Sequence, residues 1–263
     1  MPLHISCISG SLECSRTLLA NGAQVDALKR GDWTCLMISV TKIDIDHVYT
    51  LLNYGADLSL CNKDGWNAVH LATRTGNISL LTLLENHSKS NNFEHVWITK
   101  TRNARTLLHI ASMHNFFEVV RYFLNDCSLT KYLEINSKDV CGVTAFMDAA
   151  RANSVELCHL LFNHSYNKFN VNETDYSGRG ALHMAAQTNA LDVIKYLVNT
   201  LKCDINLEDN WKQTPLFLAL REGHQEAVQL LLKLGIKQSL DIKKRSPIDI
   251  ALQYGQNHLV QYL

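Results

Sequence analysis

Four histidines, His4, His70, His109 and His183, and eight cysteines are the side chains best suited to hold a metal or attack a substrate. A zinc site needs three or four such groups converging on one ion at about 2 Å. These histidines are far apart in sequence, and each stands three residues after Met1, Asn67, Thr106 or Gly180. A place shared by successive segments implies a structural hydrogen bond near a helix start, not one common ion. The cysteines are Cys7, Cys14, Cys35, Cys61, Cys127, Cys141, Cys158 and Cys203, and none forms a C-x-x-C pair. They are expected to be reduced, mostly small buried residues and not a disulfide framework. No H-E-x-x-H, G-x-x-x-x-G-K-[ST] or G-x-S-x-G motif occurs, and no spacing singles out an acid–base pair of carboxylates. Neither an intrinsic active site nor a cofactor is expected.

The elements that carry these residues recur. Starts close to T-P-L-H fall at Met1, Thr34, Asn67, Thr106, Thr144, Gly180, Thr214 and Ser246, separated by 33, 33, 39, 38, 36, 34 and 32 residues. A period near this length means stacked similar units forming one continuous body over 1–263. Five residues after each start the side chain is small: Ser6, Ser39, Ala72, Ala111, Ala149, Ala185, Ala219 and Ala251. Close packing of a short first helix, about eight residues, requires this, because such a helix is marginal alone in water. Nine residues after each start stand Gly10, Ile43, Gly76, Asn115, Asn153, Asn189, Gly223 and Gly255. Glycine and asparagine tolerate the left-handed backbone of a tight turn. Ile43 does not, so the second unit is expected to turn differently around Ile43-Asp44. A second helix follows, marked by apolar pairs such as Leu51-Leu52, Leu83-Leu84, Phe123-Leu124 and Leu231-Leu232.

Turn-rich stretches join the units. Their surplus residues lie in Asn86–Asn103, Asn125–Val140 and Asn163–Ser177, on a face that is either a binding face or a site of tolerated drift in loop length. At the ends, Ile5, Leu18, Leu19, Leu259 and Leu263 do not read as the polar caps of a stack, which predicts a fragment, a truncated gene product, or a chain that continues into neighbouring repeats.

Recognition of a protein by surface is the leading expectation. Trp33 and Trp66 each precede a first helix by one residue, one repeat apart, and Trp211 lies in a comparable turn. Indole rings are favoured interface anchors. The binding reading is an aromatic strip on a concave face, rimmed by Lys29, Arg30, Lys63 and Asp64; the alternative is that each ring covers the apolar side of its own turn. The 25 basic and 25 acidic residues cancel to a formal charge of +0, so no basic surface for direct nucleic-acid binding is expected. No apolar run is long enough to span a bilayer, no signal peptide is evident, and the cytoplasm, with the nucleus as a second compartment, is the expected location.

Helix, tight turn, helix and a hairpin-like finger, opened by phrases such as Thr214-Pro215-Leu216 with Gly223-His224 and Asn67–Ala72 with Gly76-Asn77, resemble the ankyrin repeat over essentially the whole chain. The resemblance implies an all-α ankyrin-repeat solenoid. Within the family, Leu28–Met37, Asn62–Ala72 and Cys141–Ala149 resemble a member associated with alanyl-tRNA synthetase, in which lysines accept wrongly activated serine. That resemblance implies an aminoacyl-tRNA synthetase as partner and Lys63 as the retained acceptor. Arg30 stands where the relative has lysine, and Ile98 also departs, with Lys100 close by. A guanidinium stays protonated and cannot act as an amine nucleophile. The wider family further implies finger asparagines, here Asn136, Asn172 and Asn206, as hydroxylation substrates.

Overall fold

The computed structural model describes residues 1–128, 133–164 and 170–263. Two compact units are present: Met1–Ala111 with Glu118–Glu134, and Ser112–Phe117 with Ile135–Leu263. In the first, α1 (Pro2–Ser9) pairs with α2 (Leu12–Ala20) and α3 (Cys35–Thr41) with α4 (Ile45–Asn53). Next, α5 (Ala68–Thr75) pairs with α6 (Ile78–Ser90), and α7 (Leu107–Met113) and α8 (Phe117–Arg121) follow. In the second, α9 (Ala145–Arg151) pairs with α10 (Val155–His164), and α11 (Ala181–Gln187) with α12 (Leu191–Lys195). Then α13 (Pro215–Glu222) pairs with α14 (Gln225–Lys233), and α15 (Pro247–Gln253) leads into a 3-10 turn, Asn257–Tyr262. The described residues contain two isolated antiparallel bridges, Lys29–Trp33 and Thr174–Gly180, and no strand. The fold is all-α.

The recurring start residue is the N-cap of each first helix. Thr34 accepts from the Met37 amide at 3.2 Å, Asn67 from His70 at 3.0 Å and Ser246 from Asp249 at 3.2 Å. Each satisfies a backbone donor that the helix cannot pair internally. The small residues five positions on are buried; Ala72, Ala111, Ala149, Ala185, Ala219 and Ala251 are each 0% exposed. They sit where first helices meet their neighbours, α1 on α3 on α5 in one unit and α9 on α11 on α13 on α15 in the other. Of the apolar pairs, Leu51, Leu52, Leu84, Phe123, Leu161, Leu197 and Leu231 are fully interior.

All eight turn positions are left-handed, Ile43 included, with φ 59°. The different turn expected at Ile43-Asp44 is therefore not formed. Its amide bonds the Val40 carbonyl at 3.0 Å, and the next amide, of Asp44, bonds Ser39 at 3.0 Å, so the repeat geometry overrides the side chain's preference. The β-branched chain points outward at 43% exposure, which avoids a clash but not the strain of about 1–2 kcal/mol.

The Asn86–Asn103 surplus is built structure. It lengthens α6 to Ser90 and adds a 3-10 turn, Glu94–Trp97, that buries the Trp97 ring. The Trp97 indole N–H donates to Ser88 Oγ at 3.0 Å, and its ring meets Phe123 edge-on at 6.3 Å. The Asn125–Val140 and Asn163–Ser177 surpluses fall partly on residues 129–132 and 165–169, outside the described residues. Of the apolar end residues, Leu19 and Leu259 are buried within the chain, whereas Ile5 is 64% exposed.

Candidate functional site: the finger face

Each finger but the first is a tight turn closed by one side chain, five residues before the helix-opening residue. Asn62 Oδ1 accepts from the amides of Asp64 and Trp66, both at 3.0 Å. Asp139, Asp175, Asp209 and Asp241 repeat the pattern; Asp209 takes the amides of Trp211 and Gln213 at 2.9 Å. Thr101 makes one such bond, to the Arg105 amide at 3.1 Å. The first finger has Lys29 in this place and keeps only the Lys29–Trp33 bridge. For Asp241 burial favours the neutral acid, but the Arg245 guanidinium and the turn amides outweigh it and hold the carboxyl below its usual range. These closing residues were not recognised from sequence, although their recurrence at one register position is visible there.

Successive fingers are then joined backbone to backbone. Lys63 N–H donates to Gly31 C=O at 3.1 Å and Arg102 N–H to Asp64 C=O at 2.9 Å. In the second unit Tyr176 donates to Cys141, Asn210 to Ser177 and Ile242 to Trp211, each at 2.9 Å. The residue after each accepting carbonyl is left-handed: Gly65, Gly142 and Gly178 at three links, Asp32 and Lys212 at the other two. A Cβ on Gly65, at φ +75°, would lie 2.6 Å from the Arg102 nitrogen. The donating residues are in register, four before each helix-opening residue. In the first unit this row reads Arg30, Lys63 and Arg102; in the second it reads Val140, Tyr176, Asn210 and Ile242. Val140, Tyr176 and Ile242 are exposed.

Three of the four histidines, His4, His70 and His183, are pillars between first helix and finger, and His109 bonds its own helix start. His70 Nδ1 accepts from the Asn67 amide at 3.3 Å, and Nε2 donates to the Thr99 carbonyl at 2.9 Å. His183 does the same between Gly180 and Gln213, at 3.2 and 3.0 Å, and His4 Nε2 reaches the Trp33 carbonyl at 3.1 Å. His109 Nδ1 takes the Thr106 amide at 3.2 Å. Burial is the main cause that pushes His70 down to about 4, against the opposing Thr99 bond, and it lowers His183 as well. Both rings are therefore neutral near pH 7 and serve the frame.

Trp33, Trp66, Arg30, Lys63 and Asp64 occupy two consecutive fingers of the first unit, with Arg30, Lys63 and Asp64 exposed and both indoles half-buried. The Trp33 ring lies over Gly31, whose added Cβ would meet its Cδ1 at 3.3 Å. Trp66 packs on its own first helix, 6.1 Å from the His70 ring and 5.3 Å from the Arg74 guanidinium. The two indoles make no ring contact with each other. Trp211 belongs to the second unit; it is 45% exposed, with the Arg179 guanidinium 5.5 Å over its ring. Asn172 and Asn206 each accept a backbone amide of the next unit through Oδ1, Asp204 and Lys237 respectively, at 2.8 Å.

Two buried polar networks escaped sequence reading. His47 Nδ1 lies 2.7 Å from Asp44 Oδ2, and His47 Nε2 lies 3.1 Å from Ser15 Oγ, which donates to Ser6 Oγ at 2.8 Å. The residue types match a nucleophile, base and orienting acid. Ser15 and His47 are 0% and 1% exposed, however, so the network ties α1, α2 and α4 together and meets no substrate. Glu85, 4% exposed, accepts from the Tyr122 hydroxyl, the Ser128 amide and hydroxyl at 3.1 Å, and Lys89 at 2.8 Å. Burial raises the Glu85 pKa, but these bonds outweigh it and hold the carboxyl at about 2; burial and the Glu85 bond push Tyr122 up. All eight cysteines are free thiols, four of them buried. No described helix is long and apolar enough to cross a membrane.

Comparison with known proteins agrees with this architecture. The family model described as Ankyrin repeats (3 copies) matches residues 1–60, 42–132, 125–209 and 198–263. Inversin from Mus musculus is 25% identical over 238 residues, covering 87% of this chain and 21% of that protein. Protein glp-1 from Caenorhabditis elegans is 30% identical over 207 residues, covering 73% of this chain and 15% of its own length. The chain thus spans about a fifth or less of the curated relatives it matches. The crystal structure of the ankyrin repeat domain of Bcl-3 superposes with a TM-score of 0.65 at 25% identity, covering 88% of this chain and 98% of that one. Ankyrin repeats are protein-interaction folds, and with the closed fingers, histidine pillars and left-handed turns described above, the chain belongs to the ankyrin repeat family.

Proposed function

We propose that this chain is a non-enzymatic scaffold or adaptor that binds a partner protein through its fingers and inner first helices. The observation that carries this reading is the division of roles within each finger. Backbone groups, closing carboxylates and histidines are consumed by the frame, while Arg30, Lys63 and Asp64, with the half-buried rings of Trp33 and Trp66, remain at the surface of the first unit. Within the second unit, Trp211 offers the same kind of anchor. A preformed surface binds with little ordering cost, and aromatic and arginine side chains supply the anchors. The partner is a protein, not nucleic acid or a membrane, met in the cytoplasm or nucleus. Affinity purification with quantitative partner identification, comparing the native chain with Trp33→Ala/Trp66→Ala, tests it. Loss of the main partner from a folded variant is expected; unchanged folding together with unchanged capture removes the site.

One observation favours a second reading: Lys63 is exposed at a fingertip and makes no ion pair among the described residues. Taken with the narrower resemblance to ankyrin repeat domain-containing protein 16, it makes alanyl-tRNA synthetase the partner and Lys63 an acceptor of misactivated serine. Mass spectrometry after incubation with a mischarging synthetase decides it. A seryl adduct on Lys63 is expected, and an unmodified Lys63 excludes the reading.

A further inference from the structure

We propose that the fingertip row Arg30, Lys63 and Arg102 of the first unit binds an extended acidic segment of the partner, with a carboxylate at every third residue. This deepens the binding reading above and rests on it.

Three observations carry it. The first is register: the row is fixed by the finger-to-finger backbone bonds at Lys63 and Arg102, and it is kept although the connection before Arg102 is longer. The second is availability. The other described basic side chains of the unit are engaged: Arg16 with Glu13, Lys89 with Glu85, Lys100 with Glu134 and Arg121 with Glu118. Lys42 bonds the Ile8 carbonyl, Arg74 lies over Trp66, and Arg105 is also engaged. Among the described basic residues of this unit, Lys29, Arg30, Lys63 and Arg102 alone make no ion pair, side-chain hydrogen bond or ring contact, and all four are exposed on fingers. The third is local charge. Asp32 and Asp64 share these tips, so four cations face two carboxylates, a positive excess within a chain whose formal charge is +0. Arg102 keeps the register of Arg30 and Lys63, four residues before Thr106, without the tryptophan that follows each of those two.

Geometry specifies the ligand. Helix pairs stack at about 8–10 Å, so fingers linked one to the next recur at that step. A polyproline II segment advances about 3.1 Å per residue with three residues per turn, placing every third side chain on one face about 9 Å apart. A β-strand would turn alternate acidic groups of such a series away. The pattern acid-x-x-acid-x-x-acid, with proline between, therefore sets one carboxylate against each cation.

Fluorescence anisotropy on the full chain tests this, with a labelled Glu-Pro-Pro-Glu-Pro-Pro-Glu peptide and its isomer Glu-Glu-Glu-Pro-Pro-Pro-Pro. The spaced peptide is expected to bind about tenfold tighter. Its affinity is expected to fall with added salt and to be lost in Arg30→Ala/Lys63→Ala/Arg102→Ala, whose circular dichroism melt is unchanged. Equal affinity for the isomers, unchanged binding by the triple variant, or tighter binding of an oligo-dT strand overturns the proposal. If the Trp33→Ala/Trp66→Ala protein loses its partner while the native chain ignores the spaced peptide, only this inference fails. If the peptide binds but those tryptophan changes leave capture intact, the tryptophan site fails instead.

Discussion

The amide of Arg102 donates to the carbonyl of Asp64 at 2.9 Å, across the glycine that follows Asp64. This bond and its counterpart from Lys63 to Gly31 fix where the first unit's exposed side chains stand. Gly65→Ala should strain and weaken the link, because at this finger the new Cβ meets the Arg102 nitrogen in a left-handed turn. A loss of about 2–4 kcal/mol in urea unfolding is expected, with faster hydrogen exchange at the Arg102 amide. Native-like exchange there would show that the fingers do not depend on this contact.

Ile43 holds a left-handed conformation against its β-branched side chain. Ile43→Gly should therefore stabilise the chain by roughly 1 kcal/mol, since it relieves strain at an exposed site. A denaturation midpoint equal to or below that of the native chain would show that the Ile43 side chain contributes packing that the strain argument omits.

These two cases show what the sequence could and could not convey. The helix pairs, small contact residues and left-handed turns arise from local rules repeated at one register, so a single chain exposes them by self-comparison. At Ile43 the repeat geometry overrides the local preference of a β-branched residue, and no single position in a sequence displays that geometry. Arg102 stands four residues before Thr106, in the register of Arg30 and Lys63, and lacks the neighbouring tryptophan that marks those two fingers. The Asp44–His47–Ser15 and Glu85–Tyr122 networks join residues tens of positions apart and carry no periodic mark, so only the folded chain reveals them.

His70 predicts a pH response. Its folded pKa of about 4 lies below the ordinary value of 6.5, with burial as the cause. Between those values the unfolded chain binds more protons, so stability falls as pH drops from about 6.5 to 4. His183, also lowered, adds to the same trend. His70→Gln should flatten this slope while costing about 2 kcal/mol near pH 7 through lost helix-to-finger bonding. Unfolding free energies measured at several pH values check it, and an unchanged slope would contradict the neutral-pillar role.

Glu85 acts in a lower window. Its carboxyl, held at about 2 against an ordinary 4.5, stabilises the fold above about pH 4.5, and that contribution is lost as pH falls toward 2. Glu85→Gln should lower stability at pH 7 by on the order of 2–3 kcal/mol and leave partner affinity unchanged, because the group is buried away from the fingers. Acid titration of both proteins by circular dichroism separates them. Identical acid midpoints would remove Glu85 from the account.

Partner recognition is proposed to reside in finger side chains. Its most direct measurement is the affinity of the purified partner for three proteins side by side: the native chain, Trp33→Ala/Trp66→Ala and Glu85→Gln, each confirmed folded at the assay temperature. At least about a tenfold loss is expected for the tryptophan variant and none for Glu85→Gln. Equal affinity of the native and tryptophan-free proteins would contradict it.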